Sequence, residues 1–171
     1  KFYGVFVTML ISLLSVTDIQ GQSSYLPSTR KVNHAWVDSV FTSLTPDEKI
    51  AQLLLVAATS DPKRAVIDAK KSNAEYVGRL ITEYKVGGVV FFQGGPVPQA
   101  RITNHFQKIS KVPLLVAMDA EWGLAMRIDS TVRYPYQITL GAIQGNNELI
   151  YKMGAEFAQQ ARRLGVHINF A

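Results

Sequence analysis

The amino-acid sequence predicts an α/β fold built on a parallel sheet, and three observations predict it. Apolar runs of strand length recur at residues 53–58, 87–92, 114–118 and 166–171, without the alternation of a half-exposed strand. Segments with apolar residues at helical spacing separate those runs. The third run ends abruptly at Asp119, Glu121, Trp122, Gly123 and Arg127. Polar groups delivered by the C-terminal end of a buried strand are how parallel α/β folds build sites. The last run reaches Ala171 with no helix after it and reads as an unfinished βα unit. The expected architecture is the N-terminal part of a (β/α)8 barrel, with about four of its eight strands.

The elements follow in order. Lys1 precedes an apolar run over residues 2–16. The run reads as a secretory signal with removal near Gly21 and Gln22, which places the protein in the periplasm or outside the cell. The alternative is an uncleaved anchor, although a membrane span needs about 20 apolar residues. Residues 1–21 are thus the expected signal peptide and the only expected membrane contact. Residues 22–35 are polar, contain Pro27 and read as a linker. Residues 34–41 show helical spacing, and the remaining domain is placed at 36–171.

Thr45-Pro46-Asp47-Glu48 is a helix start. Thr45 caps, Pro46 fits the first helical position and Glu48 completes a capping box. Residues 61–85 form a polar helix candidate whose partial stripe is Ala65, Ala69, Val77, Leu80, Ile81 and Tyr84. Residues 93–96 are a loop, and residues 98–110 a helix with Ile102, Phe106 and Ile109 on one face. Residues 146–164 form another helix, with Leu149, Met153, Phe157 and Ala161 spaced by four and Gly165 suited to its C-terminal cap.

Composition narrows the function classes. The chain has 171 residues, 47% hydrophobic and 18% charged, which suits one domain with a sizeable core. Its formal charge of +5 is spread along the sequence, so no nucleic-acid partner is expected. Cysteine is absent, which excludes disulfides, thiolate metal sites and a cysteine nucleophile. His34, His105 and His167 have no paired ligand spacing, so no metal is expected. The pairs Gly87-Gly88 and Gly94-Gly95 lack the lysine and hydroxyl of a phosphate loop and read as turn glycines. No serine sits in a nucleophile-elbow pattern.

The cluster after residue 118 is the candidate site. Asp119 alone reads equally as a turn cap. With Glu121, Trp122 and Arg127 beside it, the cluster favours a mouth that binds a sugar or an anion. Trp122 is open to two readings, a core residue or a platform for the apolar face of a sugar. Arg127 is also open. It pairs with Asp129 or Glu121 on the surface, or it offers its planar fork to hydroxyls or a carboxylate.

Five segments in order carry a resemblance: residues 85–92, residues 112–123, Arg127, Tyr134-Pro135 and residues 164–171. This set resembles the N-terminal barrel of glycoside hydrolase family 3 over residues 36–171. It looks most like the β-N-acetylhexosaminidase branch of secreted Bacteroidetes-type members. The resemblance implies hydrolysis of O-glycosidic bonds by a retaining mechanism, with release of terminal β-linked N-acetylhexosamine. It implies a carbohydrate substrate, a glycan or cell-wall-derived amino sugar, and no cofactor. Asp119 would hold hydroxyls of the terminal sugar, Arg127 would be a second substrate contact, and Glu121 and Trp122 would shape the loop. Trp122 and Leu124 depart from the commoner Gly and Arg of that branch. The nucleophile and acid/base are expected beyond Ala171, so no residue of this chain is expected to be catalytic. The rival readings are a β-glucosidase or β-xylosidase of the same family, and a non-catalytic sugar-binding periplasmic domain with a two-lobed strand order.

Overall fold

Four strands share one parallel sheet, and their order across it is their order along the chain: β1 (Leu55–Thr59), β2 (Gly88–Gln93), β3 (Leu115–Met118) and β4 (Ile168–Asn169). The computed structural model describes residues 34–60 and 73–171. The readings of residues 1–33 and 61–72 lie outside the described residues.

A parallel pair needs a crossover connection, and helices supply them. Between β1 and β2 lies α3 (Asn73–Arg79), which runs on into a π-helical turn over Leu80–Tyr84. Between β2 and β3 lies α4 (Pro96–Ile109). Between β3 and β4 come a 3-10 turn at Leu124–Met126, α5 (Gln137–Gly141) and α6 (Asn147–Arg163). A doubly wound sheet reverses its strand order at a switch point; this sheet advances one strand at a time, as the wall of a barrel does.

The core explains the apolar runs. In register, Val56, Val89 and Val116 align across the sheet, as do Ala58, Phe91 and Met118. These side chains pack with Val77 and Ile81, with Phe106 of α4, and with Ala161 and Leu164. The alternate positions of β1, β2 and β3, including Leu55, Val90 and Leu115, lie on the opposite face. None of these three packs into the helix-side core; Leu115 is 48% exposed, while Ala117 of the same face is buried.

Several elements differ from the sequence expectation. The first strand starts at Leu55 because Leu53 and Leu54 end the preceding turn and are exposed. The helix expected at residue 98 starts at Pro96, whose fixed φ suits the first helical position. Tyr84 leaves the expected apolar stripe because the wide π turn shifts the helix phase. Leu149 is also exposed, while Phe157 and Ala161 of the same stripe pack on the core. The last strand spans only Ile168–Asn169.

Gly87 sits at the bend before β2, as expected of a turn glycine, whereas Gly88 is the first residue of the strand. A Cβ on Gly87 would lie 1.9 Å from the Gln52 carbonyl oxygen at the end of an earlier helix, and one on Gly88 would lie 2.4 Å from the Leu115 carbonyl oxygen, so Gly87 lets the chain pass that helix end and Gly88 lets β2 approach β3. That helix is α2 (Pro46–Ala51), preceded by α1 (His34–Ser43). The capping box forms as expected: the Glu48 amide donates to Thr45 Oγ1 at 3.2 Å, and the Thr45 amide donates to Glu48 Oε2 at 3.0 Å.

Candidate functional site

All four strands end on the same edge of the sheet, and Asp119 follows directly on β3 there. Arg127 reaches back across the loop to meet it. Its Nη2 donates to Asp119 Oδ2 at 2.5 Å, and its Nε donates to the Asp119 backbone carbonyl at 2.8 Å. The ion pair is only partly buried, with side chains 21% exposed for Arg127 and 33% for Asp119. Neither Asp129 nor Glu121 is the partner of Arg127, because the loop folds over its own start. The guanidinium also stands 5.3 Å from the centre of the Phe92 ring at the end of β2.

Neighbouring strand ends fix the loop. Asn169 at the end of β4 accepts from the Ala120 amide at 2.9 Å, and its Nδ2 donates to the Ala120 carbonyl at 3.4 Å. Gly94 after β2 donates to the Arg127 carbonyl at 3.2 Å and accepts from the Asp129 amide at 2.8 Å. Ala120, Leu124 and Ile128 anchor the loop in the core. The polar side chains of the loop are thus carried on a backbone gripped from both sides.

Trp122 is neither core nor free platform. It is half-buried, and the Tyr136 ring meets it edge to face at 5.5 Å and 75°. The Arg133 guanidinium lies 4.8 Å from its ring centre and 5.4 Å from that of Tyr136, and Arg133 Nη2 donates to Tyr136 Oη at 2.5 Å. Glu121 is exposed, and its carbonyl accepts from Gln137 Nε2. The structure therefore joins Asp119 to Arg127, and joins Trp122 to a separate group of Arg133 and Tyr136.

Asn169, Phe92, Arg133 and Tyr136 are not among the sequence candidates. Asn169 carries the one available signal, an amide side chain at the C-terminal end of a short apolar strand. The other three show no local pattern, because their roles arise from loop packing. The three histidines fall on different parts of the fold. His34 lies in α1, His105 in α4, and His167 before β4, where its Nδ1 accepts from the Val116 amide at 3.0 Å.

The arrangement is a parallel-sheet edge that presents a carboxylate already oriented by a guanidinium. The family model described as "Glycosyl hydrolase family 3 N terminal domain" matches residues 45–171. The chain belongs to that family. A "Beta-N-acetylglucosaminidase/beta-glucosidase" of Cellulomonas fimi is 27% identical over 137 residues, which is 80% of this chain and 22% of that protein. A "Beta-hexosaminidase A" of Pseudoalteromonas piscicida is 28% identical over 56% of this chain and 18% of its own length. A "Beta-hexosaminidase" of Nitrosomonas eutropha is 32% identical over 50% of this chain and 27% of its own length. The chain thus spans about a quarter or less of these relatives. Among solved structures, a β-glucoside phosphorylase aligns at a TM-score of 0.59 with 21% identity, covering 80% of this chain and 22% of its own. An exo-1,3/1,4-β-glucanase from a Pseudoalteromonas species aligns at 0.58 with 16% identity, over the same shares of each chain. Both likenesses concern the fold alone.

Proposed function

We propose that the protein carrying this chain hydrolyses O-glycosidic bonds and releases terminal β-linked N-acetylhexosamine by a retaining mechanism. The observation that carries the reading is the Asp119–Arg127 pair at the C-terminal sheet edge of a family 3 domain. Asp119 acts there as an acceptor for two hydroxyls of the terminal sugar, while Arg127 holds its carboxylate in direction and leaves the outer lone pairs for substrate. The three relatives named above, each carrying a hexosaminidase or N-acetylglucosaminidase name, support the choice of sugar. The Cellulomonas name also includes β-glucosidase, which makes that activity the second reading.

Retaining hydrolysis needs one carboxylate at the anomeric carbon and a proton donor at the leaving oxygen. Asp119 is engaged by a guanidinium and suits holding rather than attack. The two catalytic groups are accordingly assigned outside Asp119 and Glu121, in chain beyond Ala171. No metal or organic cofactor enters this reading. Export through residues 1–21 belongs to the same proposal, and N-terminal sequencing of the mature protein near Gly21 tests it.

The decisive experiment uses the full-length protein with 4-nitrophenyl N-acetyl-β-glucosaminide and the matching β-glucoside and β-xyloside. Hydrogen bonds to a charged acceptor are worth about 1.5–3 kcal/mol each, so losing both in Asp119→Ala lowers kcat/KM about a hundred- to ten-thousandfold. Asp119→Asn keeps the side-chain shape and serves as the folding control. Full kcat/KM with a sharply lower melting temperature makes Asp119 a structural residue and ends the reading. Faster turnover of the glucoside than of the N-acetylglucosaminide selects the second one.

A further inference from the structure

Arg133 has the properties of a recognition group that the proposed glycosidase activity leaves unused. Its guanidinium rests against the rings of Trp122 and Tyr136 and makes its hydrogen bond to Tyr136 Oη. Among the described residues, no carboxylate pairs with it. Arg133 and Tyr136 are exposed, and the Tyr134 amide donates to the Trp122 carbonyl at 3.3 Å, which ties this segment to the site loop. A stacked guanidinium keeps its edge donors available while its long side chain has already lost much of its freedom. A planar edge of N–H donors with positive charge matches a carboxylate.

We propose that Arg133, held by Trp122 and Tyr136, forms a subsite for a carboxylate carried by the group linked to the terminal sugar. The inference rests on the glycoside-binding reading of Asp119, and it adds the chemical class of the neighbouring group. It makes the protein select acidic over neutral aglycones. Trp122 contributes as the wall that fixes the cation, with one ring face already occupied by Arg133 rather than open to a sugar.

The test compares two nearly isosteric substrates with the full-length protein: 4-carboxyphenyl and 4-carbamoylphenyl N-acetyl-β-glucosaminide. The carboxylate is expected to bind about three- to tenfold more tightly, in the range between an exposed ion pair and a bidentate one. The preference shrinks as salt rises from about 20 mM to about 0.5 M, where screening lengths fall to a few ångströms. Arg133→Gln removes the preference, because the carboxyphenyl compound loses more binding than the carbamoyl one and falls to its level. Arg133→Lys retains part of the charge preference. Equal binding of the two compounds by the unmodified protein overturns the inference, as does an undiminished preference in Arg133→Gln. Asp119→Asn weakens both compounds together, so loss of that effect alone strikes the Asp119 reading.

Discussion

At the scale of single residues, the site depends on a loop that bends back on itself within a few positions. Arg127 can serve both the carboxylate and the carbonyl of Asp119 because its fork carries two donors in one plane. Gly123 makes that bend possible. Its φ is +93°, and a Cβ there would lie 2.5 Å from Tyr134 Cδ2. Gly123→Ala therefore forces an unfavourable backbone and a collision at once, and is expected to cost about 1–3 kcal/mol. Chemical denaturation of the full-length protein measures this. A difference below about 0.5 kcal/mol would mean that the loop and Tyr134 move apart freely. The same substitution disturbs the Trp122, Tyr136 and Arg133 group before it disturbs the strand that carries Asp119.

At the scale of elements, α2 shows how a short helix is secured. Six residues are too few to persist on propensity, so the capping box and Pro46 matter. Thr45→Ala is expected to destabilise by about 1 kcal/mol. Glu48 does a second job, since Lys111 Nζ reaches its Oε2 at 3.1 Å and the Ser43 carbonyl at 2.9 Å. The Thr45 amide, followed by the Lys111 ammonium, holds the Glu48 carboxyl below its ordinary value of 4.5. A lowered folded-state pKa stabilises above the ordinary value and loses that contribution as pH falls through the folded value. The melting temperature of Glu48→Gln should therefore trail the unmodified protein at pH 7 and approach it as the pH is lowered below 4.5. An equal gap at neutral pH and well below that value would show that the charge is not involved. This helix start was legible because capping uses adjacent residues. The π turn at Leu80–Tyr84 was not, since nothing in the local spacing distinguishes it from an ordinary helix end. The same limit applies to the site: Asp119 and Arg127 stood out beside an apolar strand, whereas Asn169 met Ala120 only through strand pairing. Arg133 met Trp122 only through loop packing.

At the scale of the whole molecule, helices cover one face of the sheet, and the strand order is that of a barrel wall. In a closed barrel the opposite face becomes an interior layered with side chains, and no strand edge remains. In this chain β1 pairs only with β2, and β4 only with β3, among the described residues. The face turned away from the described helix-side core carries Leu55, Val90 and Leu115; Leu115 is 48% exposed, and Phe170 beside β4 is 57% exposed. Apolar surface there, beside strand edges that have no partner strand among the described residues, favours pairing with another copy. Produced as these 171 residues alone, the chain is expected to self-associate and to bind a hydrophobic dye such as ANS. Size exclusion with light scattering reads the association directly. Leu115→Lys places a charge on the face turned away from the helix-side core without touching that core, so it should raise the monomer fraction if that face drives the process. A monomeric chain with a cooperative melt and dispersed amide resonances would show instead that the sheet is closed off by its own residues. Persistent association in Leu115→Lys, with dye binding lost, would assign the contact to the strand edges rather than to the face.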